Sequence, residues 1–296
     1  MSFNRILLLT IHSLLLGSAL STSALETMTW NLEWFPGGKP EASVAEKNQQ
    51  MKAAKKVIRD TNPTILLAQE IKNTESFESL VSGNNGLNVS IVSKFLNFDG
   101  VTPAPLQCAI ASTLDTHSAW FETFKPTRQL PTMFRGFAFA ALKHPDGGLI
   151  MVYSIHLRSN RGSEDPKVAE RIAATRAESV KQLIAHKKAM ATKFKDEQIV
   201  GWLIGGDFNT NHDGQFPLCT AIRDLTSTGF HNSWENTPRE KRLTWRNHPY
   251  FQEYESTTFD YLMTQGFKPI EARMIPKVPR SVSDHAPVML ELITER

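Results

Sequence analysis

Nine polar residues fall in or at the ends of short apolar runs: Asn31, Glu33, Glu70, His156, Asp207, Asn209, Asp260, Asp284 and His285. Each has an ordinary reading alone. Asn31 and Asn209 suit turns, Glu70 could cap a following helix, Asp260 could make a structural hydrogen bond, and His156 could be a satisfied core histidine. Together they are carboxylates, amides and imidazoles gathered at strand ends, where sites are commonly assembled. Carboxylate oxygens without cysteine suit Mg²⁺, Mn²⁺ or Ca²⁺ rather than zinc. Neither Cys108 nor Cys219 has a second Cys or a His at metal-ligand spacing. Phosphodiester hydrolysis needs such a set: neutralised phosphate oxygens, an aligned and activated water, and donors to the developing charge. An Asp beside a His favours the imidazolium, and Asp260 is a partner of that kind for His285.

The elements that must position these residues follow from periodicity. Residues 27–32, 64–68, 89–92, 107–112, 120–124, 135–142, 149–157, 199–204, 244–246, 259–264 and 288–292 read as strands. Residues 42–60 carry an imperfect apolar stripe (Val44, Met51, Ala54, Val57, Ile58) and are stopped by Asn62-Pro63. Residues 74–81 and 217–228 suit short helices. Residues 165–195 form a long amphipathic pattern through Val168, Ile172, Ala173, Val180, Leu183 and Ile184, with a Lys/Arg-rich polar face. Strands in groups with helices between them suggest two packed sheets with helices outside, an α/β or α+β sandwich.

The bulk composition is that of an ordinary globular protein: 296 residues, 41% hydrophobic, 21% charged, formal net charge +3. That balance neither demands nor excludes a polyanionic partner. Arg5 followed by the apolar run Ile6 to Leu20 and the small residues Ser21-Thr22-Ser23-Ala24 has the three parts of a secretory leader. The expectation is a signal peptide over 1–24, one domain over 25–296, and a secreted or periplasmic monomer. No other stretch is apolar and long enough to cross a membrane once the leader is removed. Two cysteines are too few for a disulfide scaffold, and a bridge or a buried free thiol are both open.

Six motifs in order then carry a resemblance: Trp30-Asn31-Leu32-Glu33, Leu67-Ala68-Gln69-Glu70, Ser154-Ile155-His156-Leu157-Arg158, Gly206-Asp207-Phe208-Asn209, Phe259-Asp260-Tyr261 and Ser283-Asp284-His285. Together the set resembles the endonuclease/exonuclease/phosphatase superfamily, its deoxyribonuclease-like branch in particular. The resemblance implies a four-layered α/β sandwich of two packed, mostly antiparallel sheets flanked by helices, with one divalent metal at its mouth. It implies Glu70 as the principal metal ligand with Asn31 beside it and Asp284 completing the site, and Mg²⁺ as the ion, Mn²⁺ or Ca²⁺ being alternatives. It makes Asp207 the group that orients or deprotonates the attacking water, Asn209 a support for the phosphate, and Asp260 the residue that orients a phosphate-binding His285. His156 corresponds to a second histidine that protonates the leaving group. Arg135, with Arg128 as an alternative, corresponds to an arginine near the substrate phosphate. Glu33 matches an acidic position of some apurinic endonucleases. A carboxylate partner for His156 has no counterpart between Val89 and Ser112, and residues 77–132 match least.

The resulting expectation is an exported, metal-dependent nuclease cutting DNA or RNA, with Arg158 and Arg161 beside the site and the basic run Lys181 to Lys195 as further phosphate contacts. That run also has the simpler reading of a solvated helix face. A sphingomyelinase-type lipid phosphodiesterase is the first alternative, for which Trp234, Trp245, Tyr250 and Phe251 mark the region of a membrane-binding hairpin. A phosphatase of small phosphorylated molecules is the second, and a binding module that has lost catalysis the third.

Overall fold

The computed structural model describes residues 24–97, 99–133, 135–247, 255–276 and 278–295. The leader expected over 1–24 therefore lies, apart from Ala24, outside the described residues, as do Tyr250 and Phe251. In chain order the elements are β1 (Leu25–Phe35), α1 (Val44–Thr61), β2 (Ile65–Ile71), α2 (Thr74–Val81), β3 (Asn88–Val92), β4 (Gln107–Ser112), β5 (Thr116–Thr123), β6 (Gly136–Lys143), β7 (Leu149–His156), α3 (Pro166–Lys193), β8 (Ile199–Asp207), α4 (Ala221–Thr226), β9 (His231–Asn232), β10 (Asp260–Gln265), β11 (Arg273–Met274) and β12 (Val288–Leu292).

The strands form two six-stranded sheets, ordered β11-β12-β1-β2-β4-β3 and β5-β6-β7-β8-β10-β9. Each is antiparallel except for one central parallel pair, β1 with β2 and β7 with β8. Alternation along β1 shows why two layers of core exist. Met28, Trp30 and Leu32 turn outward to pack with Ala54 and Ile58 of α1 and with Phe77 and Leu80 of α2. Leu25 turns inward, into the larger core shared with β7, β8, β10 and α3. The result is the four-layered sandwich: α1 and α2, first sheet, second sheet, α3 and α4. Among the described residues no helix is long and apolar enough to cross a membrane.

The helices refine the sequence expectations. Ser43 and Glu46 close a capping box on α1, and Asn62 ends it in the left-handed conformation. Its buried face is Gln50, Ala54 and Ile58. Val44, expected in the apolar stripe, is 72% exposed. A β-branched first residue there caps no core, because the stripe drifts off the buried face before the first turn. α4 is shorter than the helix expected over 217–228, since Pro217 and Thr220 hold the chain outside it. Residues 244–246 form no strand of their own. Trp245 makes single bridges to Thr257 and His285, which places it in the site rather than in a sheet.

Both cysteines are free thiols, Cys108 buried and Cys219 half-buried. Burial pushes the Cys108 thiol up to about 12, so little thiolate forms there at neutral pH. Ellman's reagent should therefore titrate one thiol, Cys219, in the folded protein and two in denaturant. Two fast-reacting thiols in the folded state would contradict the burial of Cys108.

Candidate active site

The two parallel pairs end on the same side of the sandwich. Asn31 pairs with Gln69 across the first, and His156 pairs with Asp207 across the second, with Asp207 in turn opposite Asp260. The last strand enters antiparallel to β1, so Asp284 and His285, just before it, reach the same mouth. Gly205 and Gly206 permit this convergence. A Cβ on Gly206 (φ +151°) would run into the Ile155 carbonyl, and one on Gly205 into the Leu67 side chain of the facing sheet.

The backbone is strained where the side chains converge. Glu33, Trp34, Glu70, Arg135 and Asn209 all have φ between +48° and +71°. Non-glycine residues there cost on the order of 1–3 kcal/mol each and cluster at functional sites. The packing that holds them includes Gln50 of α1, a residue given no role by sequence reading. Its amide donates to Leu32 O and Val282 O, both at 2.7 Å, and accepts from Gly37 N. It thereby ties the loop after Asn31 to the loop before Asp284.

One half of the mouth is acidic. Asn31 Nδ2 donates to Glu70 Oε1 at 3.2 Å and to Asp207 Oδ2 at 3.0 Å. Glu70 Oε2 accepts from Trp34 N at 2.9 Å. Glu33 accepts from Arg280 Nη1 at 2.6 Å and from Asp284 N at 3.0 Å, and Asp284 Oδ2 accepts from Trp245 Nε1 at 3.0 Å. Burial first, then the charge of Asp284, raises the carboxyls of both Glu33 and Glu70. Three carboxylates thus oppose one another with Arg280 as the ion-pair partner of Glu33. An all-oxygen, mutually repelling set of this kind fits a hard divalent cation. Among the described residues no three His, Cys, Asp or Glu side chains close into a cage.

The other half carries imidazoles. His285 Nδ1 lies 2.7 Å from Asp260 Oδ2, and Asp260 is fully buried. Burial alone would lower His285, but Asp260, then Asp284 and Asp207, overcome it and hold the imidazole well above its ordinary value. His156 behaves oppositely. Its Nε2 is 3.3 Å from Asp207 Oδ2 and 3.9 Å from Glu70 Oε1, yet burial, then Arg135 and His285, keep it well below 6.5. The approach to Asp207 is therefore one of a neutral ring, not an ion pair. Its Nδ1 is buried and has no hydrogen-bond partner among the described residues. Between the halves lies Asp207, pushed up to about 7 by burial against the opposing pull of His285. Asn209 N donates to its Oδ1 at 2.8 Å.

Not every expected residue reaches this centre. Arg135 Nη1 is spent on the carbonyls of His156 and Leu157, at 3.3 and 2.6 Å, so it braces the end of β7 beside Glu70 and Asp207. Arg158 is exposed at the rim. Asn209 Nδ2 donates to Leu157 O at 3.2 Å. A residue missed from the sequence, Arg176, lies on the buried face of α3. It donates to Arg158 O and to Asn160 Oδ1, both at 2.7 Å, and Asn160 donates onward to Asn209 O at 2.8 Å. The signal was available: Arg176 occupies the apolar stripe between Ile172 and Val180. Replacing it, Arg176→Met, should lower kcat on a phosphodiester about tenfold to a hundredfold by loosening Asn209, and lower the melting temperature. A lower melting temperature with unchanged kcat would confine Arg176 to stability.

Beside His285 a recess of about 820 Å³ opens, lined in part by Phe216, Trp245 and Phe259. A larger groove of about 1180 Å³ runs along α3 between Lys167 and Lys188. It shares no residue with the strand ends, and its lining mixes Lys, Arg, Glu and Asp as a solvated surface does.

A model of the Endonuclease/Exonuclease/phosphatase family matches residues 28–285, a span that holds every residue of the cluster. The fold recurs in solved structures at low identity. Truncated Caenorhabditis elegans TDP2 is 15% identical with a TM-score of 0.64, covering 92% of this chain and 98% of that one. An endonuclease/exonuclease/phosphatase from Bacteroides vulgatus is 14% identical with a TM-score of 0.66, covering 92% and 100%. Another from Beutenbergia cavernae is 16% identical with a TM-score of 0.64, covering 92% and 72%. No curated protein matches the sequence.

Proposed function

The chain belongs to the Endonuclease/Exonuclease/phosphatase family, whose members hydrolyse phosphoester bonds, and from that premise we propose that it is an exported, divalent-metal-dependent phosphodiesterase that cuts nucleic acid. The observation that carries the reading is the division of the mouth. Repelling carboxylates (Glu33, Glu70, Asp284) lie on one side and an imidazolium (His285, backed by Asp260) on the other, with Asp207 between them at about 7. Glu70, Asn31 and Asp284 would hold the metal, Asn31 once its amide turns its oxygen toward the ion. When bound, that ion neutralises phosphate oxygens and acidifies a water.

The chain's own residues supply the rest. Asp207, a carboxyl close to neutral, takes a proton from the attacking water. His285 donates from Nε2 to a non-bridging phosphate oxygen, its Nδ1 held by Asp260, and Asn209 supports the phosphate beside it. His156, neutral and with its Nε2 3.3 Å from Asp207 Oδ2, can take up the proton that Asp207 has removed from the water and pass it to the leaving oxygen, which returns both side chains to their starting states. Arg158 and Arg161 at the rim give a polyanionic substrate its first contacts.

A membrane-inserting hairpin finds less support. Trp234 is fully buried with its indole nitrogen on Asp260 O at 2.9 Å, and Trp245 is committed to Asp284. Purified protein should nick plasmid DNA and oligonucleotides with Mg²⁺ or Mn²⁺ and lose that activity in EDTA. Intact nucleic acid alongside hydrolysed sphingomyelin or phosphomonoester would overturn the nucleic-acid reading. Full activity in EDTA would overturn the metal. Export is tested by the N-terminal sequence of protein recovered outside the cytoplasm, expected to begin near Leu25.

A further inference from the structure

The recess beside His285 is built for a flat ring. Trp245 and Phe259 lie with centroids 5.7 Å apart and planes at 42°, and Phe259 and Phe216 continue the row at 5.8 Å and 37°. The row is fixed at both ends. The Trp245 indole is held by Asp284, and beside Phe216 the Gln215 amide oxygen accepts from Asn211 Nδ2 and Thr257 Oγ1, both at 2.7 Å. Asn160, Arg161, Asn209 and His285 line the same recess. Asn209 and His285 are the residues assigned to the phosphate above, so the recess adjoins the position of a group esterified to it.

Three occupants can be weighed by chemistry. A quaternary ammonium would use the aromatic faces, but Arg161 lines the same space, and the one acid among the described lining residues, Glu255, is paired with Arg239 at 3.0 Å. An acyl chain would lay hydrocarbon against the Arg161 guanidinium. A nucleobase suits this lining, stacking on the rings and offering acceptors to the Arg161 guanidinium. At about 820 Å³ the recess exceeds what a sugar alone would fill.

Resting on the nucleic-acid reading above, we propose that this recess takes an unstacked nucleobase next to the scissile phosphate, and that the enzyme therefore selects unpaired nucleotides. A base inside a duplex has both faces covered and cannot reach Phe216 and Trp245 without leaving the stack, whereas a base in a single strand or a mismatch leaves at little cost. Phe216, half-buried on a loop and outside the hydrogen-bond network of the mouth, is the residue whose loss reads the recess alone.

The test measures kcat/KM on one sequence presented as single strand, as duplex, and as single strand with a tetrahydrofuran abasic residue on either side of the cleaved bond. The single strand should be cut about tenfold or more faster than the duplex, and removing one base should slow its cleavage about tenfold, as loss of a base–aromatic stack would. Phe216→Ala should bring the single-strand-to-duplex ratio toward one. The proposal is overturned if duplex and single strand are cut alike, or if abasic strands are cut as fast as the parent, and neither result depends on how the variant folds. In both of those cases nucleic acid is still cut and the phosphodiesterase reading stands. Failure to cut any nucleic acid while another phosphodiester is hydrolysed removes both.

Discussion

Asp207→Asn should lower kcat about 10³-fold or more while the protein stays folded. Its carboxyl is held near neutrality, at about 7, where a general base works best. Its backbone is fixed by the β8–β10 and β7–β8 pairing, so the amide keeps the position and removes the proton acceptor. Stability supplies a second readout that a merely structural role would not give. The folded carboxyl keeps its proton to about 7, against an ordinary value of 3.8. A carboxyl raised in this way works against folding once the unfolded chain has ionised, so the native enzyme loses stability as pH climbs from about 4 to 7. The variant has no such proton to lose. Melting curves in EDTA should therefore shift in favour of the variant as pH rises from 4 to 8. A constant difference across that range, or kcat within tenfold of the native enzyme, would remove Asp207 from the proton-transfer role.

How far this site was legible in the sequence depends on what kind of signal each residue carries. Glu70, His156 and Asp207 stand out because a polar residue at the end of an apolar run has few bland uses, and the alternation that made the strands visible also fixed which end they occupy. Asp260 and Asp284-His285 gained meaning only by order along the chain. Trp245 read as part of a strand because its neighbours alternate, but its bridges to Thr257 and His285 are long-range pairings with no local periodicity. Gln50 and Arg176 act through side-chain hydrogen bonds to segments distant in the sequence. Their only sequence mark is a polar residue on an otherwise apolar helix face, a mark that Val44 blurred by extending the stripe of α1 onto an exposed position. The strain at Glu70, Arg135 and Asn209 leaves no trace in residue type, since none of the three is glycine.

The pair that faces the phosphate invites the complementary experiment, Asp260→Asn. The Asp260 backbone is pinned by Thr244 Oγ1 and by the Trp234 indole, so the amide oxygen can still accept from His285 Nδ1. What disappears is the buried negative charge. In the native enzyme burial pulls His285 down, and Asp260 is the largest of the charges that lift it well above 6.5. Asp207 must be ionised and His285 protonated at once, so kcat should rise with pH through about 7 and fall only at alkaline pH, where His285 titrates. Without Asp260 burial dominates, the imidazolium is lost at lower pH, and the alkaline limb should move toward neutrality until the active window nearly closes. The expected fall in kcat near neutral pH is about 10²-fold to 10⁴-fold. Stability follows with its own sign. A histidine raised by folding contributes stability below the unfolded value near 6.5, and that contribution is lost as pH rises through the folded value. The native enzyme should thus exceed the variant in melting temperature most at acidic to neutral pH, and the gap should shrink at alkaline pH. The two variants then move opposite limbs of one profile, Asp207→Asn removing the acidic limb and Asp260→Asn shifting the alkaline one. An Asp260→Asn enzyme with the native alkaline limb would mean that His285 serves as a neutral hydrogen-bond donor, and the division of the mouth into acidic and cationic halves would fail.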